Sequence, residues 1–555
     1  MAIQPPIIHS GWSVGSAAAE DDRDLFEVFL ENGSFDSLHD MADHRSFLIG
    51  RTGAGKSAAL NQIEVRENRR AIRINPVDFA FQYLTNNDMV EQLQGFGVDL
   101  SPFFRSLWQH ILIVEIINHE FNINDESGKD GAFQRIRSAP GSTRARETAL
   151  NYLDEFGSDF WEPAHVRVKQ ITENFQERLV RTGGSGSVKA APFGLGIDAG
   201  LSTQRGVAEA DKTLEEVEVR QRYQSVVARS LAPKMAEVTK IIDEVVLSND
   251  RNPVYVLIDD LDRELSDEAI RLDLVRCLFD AAIELQRRVR NLKILIALRT
   301  NIFGQLGYER SKYYQVEKIR DSIHTLDWSR YELRSMVDLR LERLSRRRNL
   351  RVPVTLQSIL PARDDRHGDP FEWMLDRTLL RPRDLIIWVN EILRRAAGTT
   401  GVSWADMERI ERTVSGYRLE GLRDEWQDPY SGIESLFECF RAKSGILSIA
   451  EYMDLVRLDV AALLADDDFV GGPWLNEMIR PLYEPEKSPP KFWFQNYLDL
   501  SHLLWTMSFL GFSSGPGETP IFSIDEEAEW NPSSMITEDS IVAVHPGFRT
   551  ALDMV

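Results

Sequence analysis

A glycine-rich segment near the start of the chain constrains its fold more than any other feature. Residues 50–57 read Gly-Arg-Thr-Gly-Ala-Gly-Lys-Ser and match the pattern G-x-x-x-x-G-K-[ST] at every position. Residues 45–50 are typical of a short buried strand, and residues 58–67 have a helical pattern. A strand, such a loop and a helix in this order predict a phosphate-binding loop in an α/β core.

The residue types of this loop suit contact with a nucleoside triphosphate. Glycines let the backbone N–H groups turn towards phosphate oxygens, and the following helix directs its positive end to them. Lys56 is predicted to bridge the β- and γ-phosphates of ATP during catalysis, and the Ser57 hydroxyl to bind Mg²⁺. A loop that binds without hydrolysing is the alternative. The predicted nucleotide-binding residues are Gly50, Arg51, Thr52, Gly53, Ala54, Gly55, Lys56 and Ser57.

A second strand supplies the carboxylates that such a loop needs. Residues 254–259 form an unbroken apolar run that ends in Asp259, and Asp260 follows. Asp259 is predicted to hold Mg²⁺ through water, and Asp260 to polarise the attacking water as a catalytic residue. A structural carboxylate at the end of a strand is the other interpretation of Asp260. Because Lys56 and Asp259 are far apart in sequence, a largely helical insertion is predicted over about residues 86–250.

Polar residues beyond the next strand are candidate sensors of the γ-phosphate. Arg299 and Asn301 follow the apolar residues 292–298, and we predict a catalytic role for Arg299. A salt bridge at the end of the strand is the alternative for this arginine. Arg310 and Arg320 lie between two predicted strands, where assembling ATPases carry an arginine finger.

A further candidate sensor stands at the start of a predicted helix. Residues 381–384 read Arg-Pro-Arg-Asp and open a helix over residues 385–393, with proline in its first turn. Arg383 is predicted to reach back to the nucleotide from a lid domain and to act in catalysis. An ion pair with Asp384 is the alternative.

Strands that alternate with helices indicate the fold class. We predict an α/β protein with a parallel-sheet P-loop NTPase core, a large helical insertion, a helical lid and a winged-helix-like C-terminal region. The prediction of a winged-helix-like region rests on a helix over residues 496–510 followed by a hairpin. The predicted divisions are an N-terminal arm (1–44), a P-loop ATPase core (45–330), a helical lid (331–400), a helical region (401–480) and a winged-helix-like region (481–555).

The charge of the chain bears on its partners. The formal net charge is −22, which repels nucleic acid unless basic residues cluster. The would-be wing adds Asp525, Glu526, Glu527 and Glu529. One basic run is predicted to be a solvated helix face with i, i+4 ion pairs. The alternatives are that it contacts nucleic acid or a partner protein. It contains Arg334, Arg340, Arg343, Arg346, Arg347, Arg348 and Arg351. We therefore expect weak nucleic-acid binding and mainly protein partners, including further copies of this chain.

No segment of the sequence is predicted to span or enter a membrane. Its longest apolar runs, residues 111–117 and 460–465, fall far short of the ~20 residues that a spanning helix needs. A secretory signal typically has a basic region followed by an apolar one, and the N-terminus lacks this pattern. Cys277 and Cys439 lie in apolar helical patterns and are predicted to be buried free thiols. We expect a cytoplasmic protein.

Several segments together resemble the bacterial KAP/STAND-like P-loop ATPases, above all the subset of mobile and defence islands. The resemblance implies an ATP- and Mg²⁺-dependent hydrolase that assembles in response to nucleotide. It implies a molecular switch or assembly platform in antiviral defence, with a separate effector protein. A nucleic-acid remodelling or loading ATPase is the alternative, and a nucleotide-binding scaffold without turnover is a third. The segments are residues 18–21, 50–57, 257–263, 327–328, 381–384 and 544–549.

Overall fold

The structure, a computed structural model, describes most of the chain outside the predicted insertion. The described residues are 5–31, 33–74, 98–121, 253–259, 261, 269–306, 319–483, 493–525 and 528–554, with short stretches between 131 and 151 and between 239 and 247. Most of the insertion predicted over about residues 86–250 lies outside the described residues, as do Asp260 and Arg310.

Eight strands form two sheets in the described part of the chain. The first sheet has five parallel strands in the order β2-β3-β4-β1-β5, which confirms the predicted α/β class. The second has three antiparallel strands in the order β6-β8-β7. The strands are β1 (Phe47–Gly50), β2 (Ala71–Ile74), β3 (Val254–Ile258), β4 (Leu292–Arg299), β5 (Ile323–Thr325), β6 (Ile446–Ser448), β7 (Leu510–Ser513) and β8 (Ile541–Val544).

The helices of the described residues range from single turns to more than six turns. Those up to β5 are α1 (Leu25–Val28), α2 (Gly33–His39), α3 (Lys56–Glu67), α4 (Ser101–Phe121), α5 (Ala269–Arg288) and α6 (Thr300–Gln305). Those that follow β5 are α7 (Arg330–Arg347), α8 (Leu356–Ile359), α9 (Pro370–Leu375), α10 (Pro382–Arg395), α11 (Trp404–Trp426), α12 (Ile433–Glu438), α13 (Ile449–Leu455), α14 (Gly472–Ile479), α15 (Leu498–Thr506), α16 (Pro532–Met535) and α17 (Pro546–Arg549). None of the described helices has the length and apolar character needed to cross a membrane.

The chain forms two compact units. The parallel-sheet unit comprises Gly33–Ile49 and Ala59–Thr325, and the C-terminal unit comprises Met1–Asn32, Gly50–Ala58 and Leu326–Val555. The glycine-rich loop, residues 50–57, therefore belongs to the C-terminal unit, whereas residues 47–49 of β1 before it belong to the parallel-sheet unit. The domain boundaries drawn from the sequence stay predictions.

The parallel-sheet unit is built around strands that are buried on both faces. Every residue of β3 is buried, as is each residue of β4 before its final arginine, which explains their continuous apolar runs. Lys293 on β4 is the exception in composition, and its ammonium group donates to the backbone oxygens of Asp40 (2.9 Å) and Asp43. Burial lowers the pKa of Lys293 to about 8, although Asp43 acts against this shift.

The last part of the C-terminal unit has the element order of a winged helix. Helices α13, α14 and α15 lie between β6 and β7, and β8 pairs with both of its neighbours as the central strand. The helix predicted over residues 496–510 is shorter in the structure, because Ser508 takes a left-handed φ of 56°. The N–H of Phe509 then bonds to the oxygen of Leu504 at 3.0 Å, which closes the helix end.

The N-terminal arm differs from its prediction. The pattern of residues 17–30 indicates a helix, but only Leu25–Val28 is helical. Turns occupy most of the predicted helix before Leu25, and a side chain of another helix holds the backbone just ahead of them. Asn390 on α10 accepts a bond from the N–H of Val14 and donates one to the oxygen of Gly15, both at 2.9 Å. The part of the arm before α1 therefore has a defined path without regular structure.

Candidate nucleotide-binding site

The loop after β1 has the backbone conformation that its glycines permit. Gly53 has a φ of 81° and Gly55 a φ of 101°, both in the left-handed region that other residues rarely adopt. Space is limited as well, because a Cβ atom on Gly53 would lie 2.7 Å from the Cβ of Arg383. Two separate constraints, backbone conformation and packing, therefore require glycine at position 53.

Lys56 and Ser57 form the first turn of α3, where the helix carries its partial positive charge. The Nζ of Lys56 donates to the backbone oxygens of Gly50 at 2.8 Å and of Arg51 at 3.0 Å. The lysine thus folds back over its own loop. This places an ammonium group, a hydroxyl and a helix N-terminus together, as phosphate binding requires.

Three side chains from other parts of the C-terminal unit hold the backbone of the loop. The indole Nε1 of Trp328 donates to the oxygen of Ala54 at 2.7 Å. Glu425 on α11 accepts from the N–H of Thr52 at 3.0 Å, and Arg381 donates to the oxygen of Thr52 at 2.7 Å. The sequence singled out Trp328 and Arg381 only within resembling segments, and gave no signal for Glu425.

Arg51 anchors the loop to the winged-helix region. Its guanidinium donates to the backbone oxygens of Thr506 (2.8 Å) and Met507 (3.2 Å) and to the hydroxyls of Ser508 (2.9 Å) and Ser523 (2.6 Å). Burial lowers the pKa of Arg51 to about 10, and the nearby Glu425 acts in the opposite direction. Arg51 remains charged at neutral pH. Its side chain serves as a tether, a role that the sequence pattern does not indicate.

A buried cluster of charges lies beside the loop at the start of α10. Arg381 contacts both carboxylate oxygens of Asp384 at 3.1 Å and one oxygen of Glu425 at 3.4 Å. Arg418 on α11 forms a second ion pair with Asp384. Burial acts to raise the pKa of Asp384, but Arg381 and Arg418 outweigh it and hold that pKa well below its ordinary value. The cluster joins the loop to α10 and α11.

Arg383 lies directly against the loop. Its backbone N–H donates to the oxygen of Gly53 at 3.3 Å, and its Nε donates to the oxygen of Ala17 at 3.3 Å. Burial lowers its pKa, and Arg381 adds to the shift. Asp384 forms its ion pairs with Arg381 and Arg418. The ion pair with Asp384 that was the alternative for Arg383 is therefore formed by its neighbour Arg381.

A cleft opens over the loop, with about 540 Å³ of empty space including its open mouth. Its walls come from the loop, the start of α3, the N-terminal arm, α7 and α10. The lining residues are Ser16, Ala17, Ala19, Glu20, Asp22, Leu25, Gly53, Gly55, Lys56, Ser57, Ala58, Arg340, Pro382, Arg383 and Ile386.

The other predicted site residues belong to the parallel-sheet unit. Asp259 directly follows β3, is buried, and accepts a hydrogen bond from Arg73 at 3.1 Å. Arg299 ends β4 and Asn301 is buried on α6, whereas Arg320 is exposed. Asp260 and Arg310 lie outside the described residues. Strands β1 and β3 are parallel members of one sheet, so both end at its carboxyl edge.

Comparison with known proteins gives one family match and one distant relative. Residues 331–423, which contain α7 to α10 and most of α11, match the FunZ-associated C-terminal helical domain. The chain is 23% identical over 490 residues to a transposon gamma-delta 80.3 kDa protein of Escherichia coli (strain K12). The alignment covers 84% of this chain and 59% of that protein, so the chain spans less than two thirds of its relative.

Arg340 in the matched helical region belongs to a buried ion pair that was not predicted from the sequence. Arg340 on α7 donates to Asp22 of the arm and to the oxygen of Val14, both at 2.8 Å. The sequence analysis placed Arg340 on a solvated face, but the structure buries it. Arg340 lies seven residues after the buried Leu333, so helical periodicity could have shown this. Two further arginines, Arg343 and Arg347, also pair with acidic residues of the arm.

Proposed function

We propose that this chain is a Mg²⁺-dependent ATPase that acts as a nucleotide-controlled switch. The observation that carries the proposal is the conformation of the loop. Gly53 and Gly55 have left-handed φ values, and Lys56 and Ser57 line one cleft together with Arg383. This combination of curved backbone, helix N-terminus and converging cations suits a triphosphate.

The residues of the cleft have distinct proposed tasks. On binding, Lys56 exchanges its two loop carbonyls for β- and γ-phosphate oxygens. Arg383, fixed to Gly53 and Ala17 through hydrogen bonds, supplies positive charge to the γ-phosphate as that group is transferred. Asp260 is proposed to orient the attacking water, because it follows Asp259 after β3.

The metal would be held by few protein groups. We assign the Ser57 hydroxyl and the Asp259 carboxylate to Mg²⁺, which neutralises charge on the phosphates when it is bound. Within the described residues, no group of three or more His, Cys, Asp or Glu side chains could hold a metal ion.

Contacts of the loop with other elements support a switch. Arg51 ties the loop to the end of α15, and Thr52 is bonded through Glu425 and Arg381 to α11 and α10. A loop that changes conformation when its phosphates change must strain or break these bonds. Nucleotide state can in this way bias the arrangement of the helical and winged-helix regions.

The biological role is proposed from the resemblance and the relative. The motifs resemble KAP/STAND-like ATPases, and the relative is named as a protein of a transposon. We propose a role in a mobile or defence element, as a homo-oligomer that signals to a separate effector protein. This remains a proposal by analogy, because the relative is distant and longer than this chain.

The test is ATP binding and turnover by the full chain with two site variants. Lys56→Ala removes a charged contact to phosphate and is expected to weaken ATP binding by about 10- to 100-fold, as charge-assisted hydrogen bonds contribute roughly 1.5–3 kcal/mol. Asp259→Asn is expected to abolish Mg²⁺-dependent hydrolysis. Lys443→Ala is the control, since Lys443 pairs with Asp459 on the surface. Unchanged ATP affinity in Lys56→Ala would contradict the site, and binding without turnover would indicate a scaffold.

A further inference from the structure

We propose that Glu425 is a positioning residue for phosphate binding, which acts through Arg381 and the backbone of Thr52. By holding that backbone from outside the cleft, it directs the N–H of Gly53 towards the phosphates. The inference rests on the proposed function, because it concerns the affinity of the same site for phosphate. The helical domain match ends at residue 423, so Glu425 lies beyond the matched region.

Glu425 and Arg381 together bind both polar groups of one backbone residue. One carboxylate oxygen of Glu425 accepts from the N–H of Thr52 at 3.0 Å, and the other lies 3.4 Å from Nη1 of Arg381. The same nitrogen of Arg381 donates to the oxygen of Thr52 at 2.7 Å. These contacts close a ring, so a rotation of the backbone at Thr52 breaks at least one hydrogen bond.

The two side chains of this ring are held in place by burial and by a further partner. The side chains of Glu425 and Arg381 are 4% and 8% exposed. Two other nitrogens of Arg381 donate to the carboxylate of Asp384, each at 3.1 Å. A bidentate pair of this kind fixes the plane of a guanidinium, so Nη1 stays directed at the ring.

The ring determines the direction of the next N–H group along the chain. The described peptide bonds are all trans, and in a trans peptide the C=O and the following N–H point in opposite directions. Because Arg381 holds the oxygen of Thr52, the N–H of Gly53 points away from that arginine. The described lining of the cleft includes Gly53 but neither side chain of the ring. Glu425 therefore acts from behind the loop and makes no contact with the phosphates.

Gly53 needs a restraint of this kind because glycine has little conformational preference of its own. Its φ is 81°, but glycine adopts positive and negative φ values about equally readily. The residue type alone therefore does not keep its N–H directed at the cleft. Successive backbone N–H groups are the contacts that such loops offer to phosphate. A donor that is oriented before the ligand arrives reduces the entropic cost of binding.

The first experiment compares ATP with tripolyphosphate, which has no nucleoside, in calorimetry on the full chain. Glu425→Gln keeps an oxygen that can accept from Thr52 but removes the charge beside Arg381, whereas Glu425→Ala removes both. We expect Glu425→Ala to weaken the binding of both ligands by about tenfold, the scale of one hydrogen bond. Glu425→Gln should cause a smaller loss, because its bond to Thr52 can persist.

Two substitutions on the same helix, α11, serve as controls. Glu420→Gln changes an exposed glutamate and should leave both affinities unchanged. Ser415→Ala removes a buried hydroxyl that donates to the oxygen of Gly547 at 2.8 Å, so it should lower stability without altering the loop. Thermal unfolding of each variant gives its loss of stability, and binding is compared where all variants are folded. We expect Ser415→Ala to bind both ligands as the wild type does.

The second experiment measures hydrogen exchange in the ligand-free chain on peptides that contain residues 50–57. The N–H of Thr52 is bonded to Glu425, so Glu425→Ala should speed exchange in these peptides. Glu420→Gln and Ser415→Ala should leave it unchanged. Unchanged exchange in Glu425→Ala would contradict the proposed hold on the loop.

Three outcomes of the binding experiment would overturn the inference and leave the proposed function intact. In the first, Lys56→Ala weakens both ligands but Glu425→Ala weakens neither. In the second, Ser415→Ala weakens binding as much as Glu425→Ala, which would mean that α11 acts only through stability. In the third, Glu425→Ala weakens ATP alone, which would place its effect on the nucleoside. Failure of the wild type to bind either ligand would overturn the proposed function as well.

Discussion

At the scale of single residues, Asp384 links the groups that hold the glycine-rich loop. It joins Arg381, which holds the loop, to Arg418 on α11, and it accepts a hydrogen bond from the N–H of Leu379 at 2.9 Å. The aspartate and both arginines are buried. A carboxylate between two guanidiniums at this depth leaves unbalanced charge if it is removed, so this position is sensitive to substitution.

Asp384→Asn is therefore expected to destabilise the protein strongly. Loss of one partner of a buried charge network costs about 3–5 kcal/mol, which chemical denaturation would measure. Asp376→Asn is the matched control, because Asp376 forms an exposed pair with Arg330 and should cost no more than about 1 kcal/mol. Equal, small effects of the two substitutions would contradict this view of the cluster.

The same carboxylate makes a pH dependence predictable. Because the folded-state pKa of Asp384 lies below its ordinary value of 3.8, its stabilisation is present above that value. It is lost as the pH falls from 3.8 towards the lower folded value. The difference in unfolding free energy between wild type and Asp384→Asn should shrink over this acidic range.

At the scale of elements, the glycine-rich loop (residues 50–57) is fixed by its neighbours as much as by its own composition. Trp328 holds Ala54, and the start of α10 lies against Gly53. Helix α7 plays a similar part for the arm, since its arginines pair with Asp22 and Asp24. The basic run on α7 thus binds an acidic segment of the same chain.

Gly53→Ala tests how closely the loop is packed. A left-handed φ costs a residue other than glycine about 1–2 kcal/mol, and the new methyl group would meet the Cβ of Arg383. We expect ATP affinity to fall by at least about tenfold in calorimetry. Gly416→Ala is the control in the same unit, because nothing lies within 4 Å of a Cβ atom there. The Gly416→Ala change, in a helix interior, should be neutral or stabilising by about 1 kcal/mol. A Gly53→Ala variant that binds ATP normally would contradict the close packing of the loop against Arg383.

At the scale of the whole molecule, the distribution of charge decides which partners are favourable. The net charge is −22, and α15, which would read DNA in a winged helix, contains no lysine or arginine. Among the arginines of the basic run, Arg346 pairs with Glu342 and Arg347 with Asp24. Arginines that already pair with carboxylates of the same chain are less able to displace counterions from the phosphates of DNA.

A salt titration of binding to duplex and single-stranded DNA tests this prediction. At physiological salt we expect dissociation constants no tighter than about 1–100 μM, the range of non-specific binding. Nanomolar affinity with a steep salt dependence, or turnover stimulated by DNA, would instead favour a nucleic-acid remodelling ATPase. Replacing Arg346, Arg347 and Arg348 together would then show whether the basic run is responsible.

Local patterns in the sequence determine the elements of the sheet and the composition of the loop. The apolar run of β3, and that of β4 apart from Lys293, predict buried parallel strands, because such strands have no solvent-facing side. The glycines and Lys56 predict a phosphate-binding loop, because the conformation and charge that phosphates need depend on a few adjacent residues. Each of these features is encoded within a short window, where residue type and spacing are sufficient.

Contacts between residues distant in sequence were decided by the tertiary structure alone. Arg51 occupies a position where the loop motif accepts any residue, yet it bonds to residues more than 450 positions away. Arg340 belongs to a run of charges in the sequence, but packing buries it against Asp22. Residues 17–30 have a helical pattern, yet only Leu25–Val28 is helical, and Asn390 and Arg340 hold the backbone of Val14 just ahead of that stretch. An arginine or an asparagine can have many partners, and only the folded chain selects one by bringing it within hydrogen-bond distance.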